Sequence, residues 1–177
     1  PSNERINFAY YLLAMSYYEQ ITDETKDLGA ILDAQKYFKY VQKKYPNSDY
    51  ADDSEFKLEL IDEILASKEL YLAKYYIERE KWIPAINRFK IIVEKYDTSI
   101  YVEEALHRLV EIHYKIGLIE ESKKYAKLLG YNYQSGDWYR ESYKVFNKDY
   151  KKISKRKKNK NKLSTLEKIK SLLKNEK

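Results

Sequence analysis

Cysteine is absent from the 177 residues, which excludes a disulfide framework, a zinc–thiolate site and a thiol nucleophile. Glycine (4) and proline (3) are scarce, so a sheet-rich fold, which needs many turns, is disfavoured. The two histidines, His107 and His113, stand six apart rather than at the i, i+4 spacing that puts a metal pair on one helix face. There is no glycine-rich phosphate loop, nucleophile elbow or metal-ligand cluster, and the expectation is a non-catalytic protein without a cofactor. No apolar run reaches the roughly eighteen residues of a membrane-spanning helix. The chain begins at Pro1 without methionine, signal peptide or lipobox. It reads as a processed or truncated piece whose targeting signals have been removed.

Tyrosine is what the chain has in excess, at twenty residues. Large aromatics spread through a glycine-poor chain predict aromatic knobs packing helix on helix. The formal charge of +6 is unevenly placed. Residues 147–177 hold thirteen Lys/Arg against three Asp/Glu, a surplus of +10, leaving the body with 21 basic and 25 acidic residues. A nucleic-acid surface normally sits on the folded domain, and by charge this body offers none. The predicted division is a repeat domain over 1–146 and a basic tail over 147–177.

Gly29, Pro46, Pro84, Gly117, Gly130 and Gly136 separate stretches of helical apolar period. Helices are predicted at 4–22, 30–45, 50–80, 83–95, 100–116, 118–129 and 137–148. Pro84 suits a first helical turn and Gly117 a turn with positive φ. Within this frame a tetratricopeptide spacing recurs. The middle unit has Leu72-Ala73, Tyr76, then Ala85 twelve residues after Ala73, and Phe89 four further on. The first has Leu13-Ala14, Tyr17, Ala34, Phe38 and Pro46, with an eight-residue insertion around 22–29. The third has Leu109-Val110, His113, Gly117, Ser122 and Ala126. Small residues let paired helices approach, and aromatics fill the holes beside them. The fold class is therefore all-α: a right-handed superhelical stack of about three tetratricopeptide-like hairpins.

Several stretches are more specific than a repeat. They include Tyr45-Pro46-Asn47-Ser48-Asp49-Tyr50-Ala51-Asp52-Asp53, Leu65-Ala66-Ser67-Lys68-Glu69-Leu70-Tyr71-Leu72-Ala73-Lys74-Tyr75-Tyr76, Trp82-Ile83-Pro84-Ala85-Ile86-Asn87-Arg88-Phe89 and Ala105-Leu106-His107-Arg108-Leu109-Val110-Glu111. Together, over roughly 4–146, they resemble the BamD family, the repeat-built lipoproteins of the β-barrel assembly machine. The resemblance implies the last three of about five repeats, and a scaffold docking on a POTRA domain of BamA during barrel insertion. It also implies other lipoproteins of that machine and unfolded outer-membrane proteins as partners. The location implied is the periplasmic face of the outer membrane, held by a lipid anchor outside this chain. The family's docking arginine matches Arg88, whose planar fork suits a carboxylate. Arg79 and Trp82 flank the same turn and are secondary candidates. Glu80 stands where the family commonly has glycine, which opens this turn to a different shape, and Asp97 replaces the closing proline, which would loosen the stop before the next helix.

The helix A faces supply candidates for a concave groove: Tyr11 and Tyr18 in the first unit, His107 and Tyr114 in the third. The plain alternative for His107 is an ordinary surface residue, and for Arg88 a solvated residue pairing with Glu94 or a similar neighbour. The other class of function is a cytosolic repeat adaptor holding a peptide or partner helix in that groove. Asp52-Asp53, Glu103-Glu104 and Glu120-Glu121 lie near helix starts, where the macrodipole accounts for them. The tail reads as a solubilising extension followed by a short amphipathic helix over Leu166, Ile169 and Leu172-Leu173.

Overall fold

The computed structural model describes residues 5–21, 28–134 and 136–147. Among them every regular element is helical: α1 Ile6–Tyr18, α2 Gly29–Lys44, α3 Asp49–Glu78, α4 Trp82–Lys95, α5 Val102–Lys115, α6 Ile119–Asn132 and α7 Asp137–Phe146. The all-α, tetratricopeptide-like expectation holds, with boundaries mostly within a few residues. Residues 22–27 of the insertion, the tail beyond Asn147 and its amphipathic helix lie outside the described residues. None of the described helices is long and apolar enough to cross a membrane. The chain divides into two compact units between Leu109 and Val110, within α5.

In the first unit, α1 packs on α2, α2 on α3, and α3 on α4. The small residues chosen by the repeat spacing, Ala14, Ala34, Ala73 and Ala85, are all fully buried, as are Phe38 and Phe89. That is the condition for close helix approach: no side chain holds the backbones apart at the crossing. The tyrosines do the filling. Tyr17 stacks on Tyr37 at 5.7 Å, Tyr10 meets Tyr40 at 4.5 Å, and Tyr11 and Tyr18 both pack on Phe38. Helix α3 spans 30 residues, about 45 Å at 1.5 Å per residue. Its length serves two packings. Leu58, Ile61 and Leu65 join the core with Ala14, Ile31 and Phe38, while Leu70 and Ala73 are buried further along. Ser48 caps α3 by accepting the Ala51 N–H at 3.2 Å, with Asp49 and Asp52 in the first turn.

The helix-B ends share one device. Tyr45, Tyr96 and Tyr133 stand at the C-caps of α2, α4 and α6 with φ between −128° and −135° and ψ between 46° and 55°. Each carbonyl then accepts an N–H three residues on, from Ser48, Ser99 and Gly136. This answers the Asp97 question. Without the closing proline α4 still stops at Lys95, because Glu63 of α3 holds the following loop. Its carboxylate accepts the Ser99 hydroxyl and the Ile100 N–H, both at 3.0 Å. Helix-A ends share another device. Lys81 N–H donates to Tyr76 O at 2.9 Å around Glu80 at φ +54°, and Leu118 N–H donates to His113 O at 2.8 Å around Gly117 at φ +87°. Both are Schellman turns. The turn at Glu80 therefore keeps the shape that glycine would give it.

In the second unit Val110 and Ser122 are fully buried, and the Ser122 hydroxyl donates to Val110 O at 2.7 Å. His113, in the aromatic position, lies against Tyr125 at 5.1 Å. Gly130 stands as punctuation in the sequence pattern, yet α6 runs through it to Asn132. A Cβ there would come within 2.9 Å of Tyr139 Cε2, so the glycine serves the approach of α7 rather than a turn.

Candidate docking site

The α3–α4 junction carries the docking candidates. Arg79 caps α3 and lays its guanidinium over the Tyr75 ring, 3.5 Å from the centroid, while Nη1 donates to Tyr75 O at 3.3 Å. A cation held flat on an aromatic face gives a rigid platform that can turn its outer edge to an anionic partner. Trp82 is the first residue of α4 and half-buried, with Ile83 beside it 62% exposed. Pro84 sits in the first turn, where no intrahelical N–H is needed.

Arg88 does not join that platform. Six residues on from Trp82, it lies about 9 Å along the axis and roughly 120° round the helix. There Nη1 reaches across to Glu69 of α3, 3.1 Å from one carboxylate oxygen and 3.4 Å from the other. The pair is partly open, with side-chain exposures of 36% for Arg88 and 18% for Glu69. Its intrachain partner is thus Glu69, on the other helix of the hairpin, rather than Glu94. Among the described residues only Nη1 is engaged, so the remaining edge of the fork can face a second carboxylate. Asp62 is pushed up by burial, eased by Lys39 and Gln35, and Tyr96 is pushed up by burial and then by Asp62 and Glu69.

The groove candidates are largely taken up in packing. The Tyr11 hydroxyl donates to Asp53 Oδ2 at 2.6 Å, and its ring lies 5.2 Å from Tyr50. Tyr18 packs edge-on against Phe38, with Lys57 Nζ 5.2 Å above its ring. Tyr114 meets Phe146 of α7 edge-on at 5.5 Å. His107 is only 3% exposed, which corrects its reading as a surface residue. The reason is that α5 is buried on most of its circumference, at Val102, Ala105, Leu106, Leu109, Val110 and Ile112. Among the described residues no group of His, Asp and Glu is arranged to hold a metal ion. Three pairings escaped sequence reasoning: Asp53 with Tyr11, Glu63 with the α4–α5 loop, and Glu69 with Arg88. Each joins residues 19 to 42 apart on different elements, a separation without a sequence period.

Comparison with known proteins supplies the lineage. The family model YfiO, described as an outer membrane lipoprotein, matches residues 1–129. The outer membrane protein assembly factor BamD of Rickettsia prowazekii is 40% identical over 145 residues, 82% of this chain and 58% of that protein. BamD of Caulobacter vibrioides is 37% identical over 147 residues, 83% of this chain and 48% of that protein. BamD of Vibrio cholerae is 25% identical over 142 residues, 75% of this chain and 59% of that protein. The chain spans about half the length of these relatives. With a family model matching residues 1–129 and a relative 40% identical over 82% of its length, the chain belongs to the YfiO/BamD family.

Proposed function

We propose that this chain is part of a non-catalytic scaffold for assembling outer-membrane β-barrel proteins, and that it docks on the POTRA region of BamA. In that role it works at the periplasmic face of the outer membrane, with the full-length protein lipid-anchored there and other components of the same machine alongside. The observation that carries the reading is the family match over residues 1–129, joined to relatives named for outer membrane protein assembly. The α3–α4 junction supports the choice of surface. It combines an arginine stacked on a tyrosine and a half-buried tryptophan, residue types enriched at protein–protein hot spots, with an exposed isoleucine beside them. Arg88 adds a guanidinium only partly occupied by Glu69, so a partner carboxylate can share or replace that contact.

Binding of purified POTRA domains to this chain, followed by calorimetry, tests the reading. Arg88→Gln and Trp82→Ala should each weaken binding by about tenfold, the scale of an interface anchor. Arg88→Gln is preferred to Arg88→Glu because a second carboxylate beside Glu69 would disturb the hairpin itself. Absence of binding by the unmutated chain would refute docking by these repeats. Equal binding by both variants would move the surface elsewhere.

A further inference from the structure

Two of the three hairpins fill the space beside helix B with an aromatic, Phe38 and Phe89, each fully buried. The third places Ala126 at that position of the repeat, and there the molecule has an open cavity of about 640 Å³ between α6 and α7. The two helices meet at Gly130, where the Tyr139 ring takes up the room a Cβ would need. From that vertex the groove extends towards Lys123 on α6 and Phe146 on α7. Its apolar lining is Ala126, Tyr143 and Phe146, and its charged lining is Lys123 and Lys127, with no carboxylate among the lining residues. Lys123 pairs with Glu120 at 2.8 Å, and the charge of Lys127 also bears on Glu120 from further along α6. Tyr143 is 48% exposed along the groove, so a large ring is already at the surface rather than in the core.

We propose that this groove binds an aromatic side chain carried on an acidic segment of a partner protein. The groove is several times the size of the ring that the repeat lacks beside Ala126, so it has room for an incoming phenylalanine or tyrosine together with the residues that flank it. The volume falls in the range of sites that enclose a ligand, about 300–1,000 Å³. Charge selects the flanking residues: glutamate or aspartate beside the ring meets Lys127 and Lys123. The chain's own residues 147–177 carry a surplus of +10, which these lysines repel, so the tail is the wrong occupant by sign. This site is independent of the α3–α4 junction and of docking there.

The probe is a short fluorescently labelled peptide with one phenylalanine set among glutamates and alanines, titrated against the full chain by polarisation. Saturable, salt-sensitive binding is expected, falling by about tenfold when the peptide's phenylalanine becomes alanine. Ala126→Phe places a ring in the groove from within and should abolish binding while raising Tm. Should that variant misfold by circular dichroism, Lys127→Glu and Tyr143→Ala, both at the groove's accessible edge, must each weaken binding by the same order. No binding, equal binding of a lysine-for-glutamate peptide, or binding unchanged in these variants overturns the proposal. So does markedly tighter binding after deletion of residues 148–177, because the tail would then be the natural occupant.

Discussion

Replacing Glu80 by glycine should make this protein more stable, although glycine ordinarily loosens a chain. Glu80 sits at φ +54° in the turn that ends α3, with the Lys81 N–H bonded back to Tyr76 O. A left-handed conformation costs a residue with a Cβ about 1–2 kcal/mol. Glycine removes that cost but adds about 0.4–1 kcal/mol of unfolded-state freedom. The balance favours Glu80→Gly by about 0.5–1 kcal/mol, or about 1–4 °C in Tm for a chain of this size. Gly117 provides the mirror experiment. It occupies the same turn one repeat later at φ +87°, and a Cβ there would touch nothing within 4 Å. Gly117→Ala should therefore lose about as much as Glu80→Gly gains, entirely through the backbone. Glu80→Ala should stay close to the parent, since alanine pays the same strain. Thermal unfolding and urea midpoints of the three variants decide the matter. A loss of stability in Glu80→Gly, or a gain in Gly117→Ala, refutes the assignment of both positions to one turn.

Gly130→Ala gains about 1 kcal/mol of helix propensity but meets Tyr139 at 2.9 Å, an overpacking that costs about 1–3 kcal/mol. In a Tyr139→Ala background the same substitution should become stabilising, and a double-mutant cycle by denaturant unfolding reads the change of sign. Ser122→Ala removes the buried hydroxyl bonded to Val110 O and should cost about 1 kcal/mol, seen as a lowered urea midpoint. The Tyr11 hydroxyl is pushed up from 10.0 to about 12, first by burial and then by its hydrogen bond to and the charge of Asp53. Because the fold favours its neutral form, this contribution is complete below pH 10 and is lost as pH rises through about 12. Ultraviolet titration should show one late tyrosine missing from Tyr11→Phe, together with a shallower loss of stability in that alkaline window. Glu63→Ala strips the Ser99 hydroxyl and Ile100 N–H of their acceptor, and amide hydrogen exchange over residues 97–101 should quicken.

Composition and spacing were sufficient for the helices and for the residues at the helix crossings. Ala14, Ala34, Ala73, Ala85, Val110 and Ser122 were picked out by a repeat period, and all six are fully buried. Such positions are legible because steric demand at a crossing recurs with the geometry of the helix pair. The Schellman glycine was legible as well, at Gly117, because only a positive φ explains it there. Glu80 hid the equivalent turn, since its backbone conformation is set by the Lys81–Tyr76 hydrogen bond and not by its own preference.

Tertiary packing decided what the side chains face. Asp97 need not end α4 as a proline would, because a carboxylate 37 residues earlier on α3 organises the loop. The resemblance singles out Arg88 as a docking candidate, but its pairing with Glu69 depends on how α3 and α4 cross. His107 reads as polar and exposed, yet α5 is enclosed on nearly every side. Ala126 keeps the repeat spacing with a small residue where the other units have Phe38 and Phe89, and only the positions of α6 and α7 leave an open groove beside it. Local sequence sets helices, turns and crossing points because those depend on neighbours within a few residues. Exposure and partnership depend on chain segments far apart in sequence, so they exist only once the hairpins have packed.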